Sequence, residues 1–410
     1  MDEVPDSGLN MQTSMEHDSE SRQVVKSLFE RTGQVRRRVA LMDSPWGDTL
    51  AAWIRQGYPT RKVCKEPGEM CFRLEDGKSF EVEEAGEYEE PVPAWEHFGY
   101  DMAGAGGWFD VMPLRGHSEL EDETDEWEVR RNGAGAAFKY WKHKSGTPEH
   151  VDFLMSDRSI WEQIYRPHVL SLDPERVDLA ANRKAFSRVM GAGVWGHFGH
   201  MFIWELMRQS LGDVALYEHL LLDKAWIHDY ARVYTDSYKA HFQYLFDNVG
   251  MPDGVWLYED LGYKTGLFAS PLVLRELIFL YYREMVDFFH GFGLPVVLHT
   301  CGSTREALPL IVDAGFDGLN PMERKAAGNE PFAFAEEYGD SLVFVGGFDA
   351  RIFESNDLDL IEREVRAYIE GMKERGARLV FASDHSISTN TRYASYRHAV
   401  EVYRDCMCYS

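Results

Sequence analysis

From about residue 150 onward the chain alternates short apolar runs with stretches of helical periodicity, the pattern that parallel β/α units produce. The runs are FSRVMGAG (186–193), GVWLYED (254–260), PVVLHTC (295–301), FDGLNPM (316–322), LVFVGGFD (342–349) and RLVFASDH (378–385). RVALMD (38–43) adds a seventh strand, followed across the turn of Ser44, Pro45 and Trp46 by a helix over residues 48–56. One more strand is expected either in the segment that follows or ahead of Ala185. Eight such units close most simply into an α/β fold, a (β/α)8 TIM barrel, and 410 residues suit a barrel with insertions. An open doubly wound sheet is the alternative, although no Gly-rich phosphate loop follows any of these strands.

Between residues 58 and 150 the texture changes to short alternating segments such as CFRLEDGKSFEVE, WFDVMPL and EWEVRRNGAGAAFKYW, with Asp-Gly and Asn-Gly at the turns. This reads as an N-terminal antiparallel β-rich insertion. Hanging from the loop after the first strand, it belongs at the barrel mouth, and its Trp108, Phe109 and Trp141 are read as its core. Residues 1–20 are polar and aperiodic, hence a disordered tail, and 21–410 form the barrel domain.

With 68 acidic against 43 basic side chains the net charge is −25, which repels phosphate backbones and anionic lipid. Nucleic acid and membrane are therefore excluded as partners. No apolar run approaches a membrane span and no secretory signal is visible, so a cytoplasmic location is expected. Five scattered cysteines, an odd number, point to reduced thiols, and the C-x-C of Cys406 and Cys408 lies at the end of the chain.

In a β/α barrel the active site gathers at the carboxyl ends of the strands, so the polar residues there carry the chemistry. Four successive strands end in Tyr258-Glu259-Asp260, His299-Thr300-Cys301, Asn320-Pro321-Met322-Glu323 and Gly347-Phe348-Asp349, and the last ends in Ser383-Asp384-His385. His299 and Cys301, two apart on an extended chain, share one face and can chelate. Zinc accepts imidazole nitrogen and thiolate sulfur, and a catalytic site supplies three protein ligands and leaves a fourth position open. His385 is the expected third ligand, with Asp384 as an alternative and Glu259 or Asp260 as a displaceable fourth. Glu259, Asp260, Glu323 and Asp349 are candidates for proton delivery or for holding ligands. His197 and His200, read at a strand-to-helix junction, and the strand-end Tyr258 and Asn320 are candidates for substrate contact.

The blocks DGVWLYEDLGYKTGLFASP, VVLHTCG, DAGFDGLNPME, YGDSLVFVGGFD and FASDHSI, in that order and spacing, resemble the uroporphyrinogen decarboxylase superfamily from about Arg37 to Tyr403. The resemblance implies a β/α barrel and divides in function. One branch decarboxylates without metal or cofactor; the other comprises zinc-dependent methyltransferases that exchange a methyl group with a corrinoid (cobalamin) protein. The methyltransferase branch carries His-x-Cys after one strand, matched by His299 and Cys301, and a further ligand, commonly Cys, after the last strand, where this chain has His385. The decarboxylase branch has an arginine-rich signature just after its first strand, where this chain reads MDSPWGDTLAAW, while Arg36 to Arg38 precede the strand.

The resemblance therefore implies a zinc-dependent methyltransferase acting on a small O- or N-methylated substrate or a thiol. No D-x-H-x-x-G sequence is present, so the corrinoid is expected on a partner protein. A metal-free decarboxylase of a small carboxylic acid is the competing expectation, and a homodimer is a possible assembly.

Overall fold

The computed structural model describes residues 19–30, 37–143 and 146–409. Most of the tail expected at 1–20 lies outside the described residues, but Ser19 caps, and Glu20 opens, the first helix, α1 (Glu20–Phe29).

Eight parallel strands make one sheet: β1 (Ala40–Leu41), β2 (Met102–Gly104), β3 (Trp195–Met201), β4 (Gly254–Tyr258), β5 (Val296–His299), β6 (Gly318–Asn320), β7 (Val343–Val345) and β8 (Arg378–Phe381). Their order, β1-β8-β7-β6-β5-β4-β3-β2, curls into a nearly closed barrel in which β1 and β5 stand on opposite sides. At the seam between β1 and β2, the Asp101 N–H donates to the Leu41 carbonyl at 2.7 Å. The buried Asp101 carboxylate accepts from the Leu41 N–H at 2.8 Å and from two guanidinium nitrogens of Arg38, each at 2.7 Å. Charge-assisted bonds thus hold the seam, and they hold Arg38 at the end of β1 remote from the mouth.

Inward-pointing residues follow the two-residue period of each strand. Ala40, Met102, Trp195, Trp256, Val297, Val343, Val345 and Val380 fill the interior together with Val24, Val25 and Leu28 of α1. That helix plugs the amino-terminal end of the barrel, stacking Phe29 on Trp195 at 5.3 Å and pairing Arg22 with Asp253 at 2.7 Å. The carboxyl ends of the strands are left for the site.

One expectation requires correction. FSRVMGAG is not a strand: residues 186–191 finish the helix Leu179–Gly191, Gly193 turns the chain at φ +71°, and β3 is the next run, WGHFGHM. That strand is buried on both faces, and it needs Gly196 because a Cβ there would lie 2.6 Å from the Met190 sulfur. Two histidines and two glycines in seven residues erase the apolar signal that marks its neighbours.

The eighth strand lies in the segment after β1, one of the two places expected for it, and β2 divides the hairpins of residues 58–150 into two blocks. Ahead of β2, hairpins pair Thr60–Lys65 with Gly86–Pro91 and Met70–Phe72 with Ser79–Glu81. After it, a four-stranded antiparallel sheet is built from Ser118–Glu123, Trp127–Asn132, Ala136–Trp141 and Glu149–Phe153. The Asp-Gly and Asn-Gly turns fall where expected, at Asp76-Gly77 and Asn132-Gly133, whereas WFDVMPL runs outside any ladder.

Candidate functional site

His299 ends β5 with its ring turned into the barrel. Asn320, its register partner on β6, sets the ring's orientation: the Asn320 amide nitrogen donates to the Val345 carbonyl at 2.9 Å, so its oxygen faces His299 and accepts from Nδ1 at 2.5 Å. The Nδ1–H tautomer leaves Nε2 as a free lone pair aimed at the mouth, the arrangement found behind metal-binding histidines.

Cys301 follows on the same face with its sulfur 3.4 Å from that Nε2. Its position depends on Gly302, at φ +75°, where a Cβ would lie 2.3 Å from the Gly262 carbonyl carbon. Only glycine lets the loop after β5 press against the loop after β4. The contact brings the Cys301 N–H to within 2.9 Å of Asp260 Oδ1, and the same carboxylate oxygen lies 3.7 Å from His299 Nε2.

Asp260, His299 and Cys301 thus offer an oxygen, a nitrogen and a sulfur, all within 4.8 Å of one another. Donors held at about 2.0–2.3 Å by one tetrahedral zinc sit roughly 3.3–3.7 Å apart, so this trio fits a zinc ion. Charge agrees with geometry. Burial, with the Asp260 and Glu323 carboxylates nearby, pushes the Cys301 thiol well above its usual range, and a divalent cation is what such an anionic cluster lacks.

The other strand-end residues separate by the direction in which the chain turns them. Glu259 points away from the mouth and is fully buried, accepting from the N–H groups of Phe202 at 2.6 Å and Trp204 at 2.8 Å and from the Tyr282 hydroxyl. Burial pushes its carboxyl up to about 8 against those bonds. It is a strut that holds the start of the helix Ile203–Leu211. Glu323 accepts from the Gly302 N–H at 2.9 Å and faces a recess on the far side of Cys301. Asp349 caps the helix Ala350–Glu354 and pairs with Arg351, outside the central cavity.

His385 is not brought into the donor trio. Asp384 turns outward to accept from the N–H groups of Arg324 at 2.7 Å and Ala350 at 2.9 Å. This leaves His385 exposed on the rim, its Nδ1 3.2 Å from the Ser386 carbonyl and its ring 5.7 Å from Trp46. The third donor that the structure places beside His299 and Cys301 is Asp260.

His197 and His200 lie on β3 itself, and three residues along a strand place them on opposite faces. His197 lines the cavity, stacked on Trp256 at 5.0 Å, with no hydrogen-bond partner for its buried Nδ1 among the described residues. His200 faces outward, with Nε2 3.0 Å from the Phe109 carbonyl and its ring 4.9 Å from Trp108. Burial pushes both imidazoles down to about 4, so both are neutral.

The cavity above the trio measures about 550 Å³ and is walled by Trp46, Trp95, Tyr100, Trp256 and Tyr258. A second recess of about 630 Å³ shares Trp46, Tyr258, Asp260 and His299 and reaches Trp108, Thr147 and Pro148 of the insertion. Trp108, read as core, is 49% exposed and lines this recess instead. Sequence reasoning also passed over Trp256, although it shares the face of Tyr258 and Asp260 in GVWLYED. Asp43, at the end of β1, was missed as a site residue. It accepts from Ser383 Oγ at 2.6 Å and the Ser44 N–H at 2.9 Å, and burial pushes its carboxyl up to about 6.

Residues 254–406, from β4 to the last helix, match the family model for uroporphyrinogen decarboxylase (URO-D). No curated protein matches the chain in sequence. Among solved structures, the chain is similar to a methyltransferase from Methanosarcina mazei, with 13% identity over 94% of this chain and 98% of that one and a TM-score of 0.62. That likeness carries the fold alone. A chitinase-like agglutinin from Robinia pseudoacacia also overlaps, with 11% identity over 57% of this chain and 88% of that one and a TM-score of 0.35. Among the described residues no helix is long and apolar enough to cross a membrane.

Proposed function

We propose that this chain, a member of the uroporphyrinogen decarboxylase superfamily, is a zinc-dependent methyltransferase that moves a methyl group between a small substrate and a corrinoid carried by a partner protein. The observation that carries the reading is the convergence of Asp260, His299 and Cys301 at one point of the barrel mouth. His299 would hold zinc through Nε2, Cys301 through its thiolate and Asp260 through Oδ1, with a fourth position left for substrate. Bound there, zinc supplies Lewis acidity to a departing or entering heteroatom.

The chain's own residues do the rest. Asn320 keeps the His299 ring from rotating and its tautomer from changing. The Cys301 N–H holds Asp260 in place. Trp46, Trp95, Trp256 and Tyr258 exclude water and present an apolar wall along which a methyl group can lie. A set with a single thiolate is harder than one with two, which favours polarising oxygen or nitrogen over activating a soft thiol.

The decarboxylase alternative loses support from the same cavity. A substrate with several carboxylates calls for arginine or lysine, and among the described residues neither lines it. Asp43 stands there instead.

The purified protein is expected to contain about one zinc per chain, measured by elemental analysis, and Cys301→Ser is expected to lose most of it while keeping the wild-type circular dichroism spectrum. Undiminished zinc in that variant would remove Cys301 from the ligand set.

A further inference from the structure

We propose that the cavity takes its substrate by two ends, with an ammonium head held at Asp43 between aromatic walls, across the mouth from Asp260, His299 and Cys301. The reacting end rests on the function proposed above; the ammonium end does not. The sheet order places β1 and β5 on opposite sides of the barrel, so Asp43 and the donor trio face each other across one space of about 550 Å³.

Asp43 accepts only from neutral groups: the Ser383 hydroxyl and N–H, the Ser44 N–H and the Tyr396 hydroxyl. Among the described residues no cation touches it. A half-buried carboxylate without a cationic partner is costly unless something brings one. The walls suit that visitor, because tryptophan and tyrosine faces attract a cation through their π electrons, most strongly where water is excluded. Trp46, Trp95, Tyr100, Trp256 and Tyr258 all line the cavity, and among the described residues neither lysine nor arginine does.

The charge balance points the same way. A divalent ion held by the Cys301 thiolate and the Asp260 carboxylate would be neutralised by them, which would leave Asp43 as the carboxylate without a countercharge among the described lining residues. His197, neutral on the floor with an unpartnered Nδ1, adds a polar contact without adding positive charge. A carboxylate-bearing substrate would meet like charge at this end, and a purely neutral one would leave Asp43 unmatched.

The test is calorimetric titration of choline and of its neutral tert-butyl isostere into the intact protein. Choline is expected to bind about 10-fold more tightly than the isostere. Asp43→Asn, which keeps the shape and one of the two acceptor oxygens while removing the charge, is expected to erase most of that preference with the wild-type circular dichroism spectrum retained, and Trp46→Leu to reduce it. Equal or tighter binding of the isostere, no measurable binding of choline, or an unchanged preference in Asp43→Asn overturns the proposal. Choline binding requires neither zinc nor methyl transfer, so a failure here and a failure of the metal assignment are read separately.

Discussion

Asp260→Ala is expected to weaken zinc binding by more than about 100-fold, beyond the roughly 10–100-fold that loss of an outer-shell partner costs, whereas His385→Ala leaves zinc affinity within a few-fold of wild type. The asymmetry comes from backbone placement. Asp260 Oδ1 is fixed by the Cys301 N–H at 2.9 Å and lies 3.7 Å from His299 Nε2, so it needs no movement to join the ion. His385 sits on the rim beside Trp46, one residue beyond an Asp384 that is committed to two backbone N–H groups. Asn320→Ala, which frees the His299 ring without removing a donor, is expected to fall between the two, within the outer-shell range. Competition with a chromogenic chelator gives all three affinities. Loss of zinc in His385→Ala with retention in Asp260→Ala would reverse the assignment.

Glu259→Ala is expected to destabilise the fold by roughly 3–5 kcal/mol, since it strands the buried N–H groups of Phe202 and Trp204 and the Tyr282 hydroxyl at once. Against a typical total of about 5–15 kcal/mol, that is a large fraction. The midpoint of thermal unfolding should fall by roughly 5 °C or more, followed by circular dichroism. Glu259→Gln, which retains one acceptor, should cost less. If Glu259→Ala kept the wild-type midpoint and lost only activity, the residue would be part of the chemistry and not a strut.

These two carboxylates are adjacent in the chain and face opposite ways, which shows what a strand end discloses and what it conceals. Two-residue periodicity correctly places His299 and Cys301 on one face, and it groups Trp256, Tyr258 and Asp260 on another strand's inner face, leaving Glu259 to point outward. The periodicity ends where the strand ends. Beyond β8 nothing in ASDHSI tells which side chain will be claimed by a helix N-terminus, and Asp384 is claimed by the N–H groups of Arg324 and Ala350, so His385 lands on the rim.

The barrel was legible because six of its strands lie in short apolar runs closed by polar residues. β3 was not, because close packing against Met190 and Ala105 favours glycine at 196, and the Tyr258 ring leaves little room for a side chain at 199. Nor was β2, only three residues long, which lies hidden between two blocks of hairpin. Asp43 closes RVALMD as the other polar residues close their strands, so the same strand-end rule points to it, and it was passed over because the first strand was left out of that reading.

On the function proposed above, Asp260, His299 and Cys301 act through a bound metal in methyl transfer. The most direct test is the rate at which cob(I)alamin is methylated from small O- and N-methylated substrates, with choline among them, followed by the change in corrinoid absorbance, using protein as purified, stripped with a chelator and reloaded with zinc. Stripping is expected to cut the rate by at least about 100-fold and one equivalent of zinc to restore it, with no restoration in Cys301→Ser. A stripped protein that methylates cob(I)alamin as fast as the reloaded one would contradict the account.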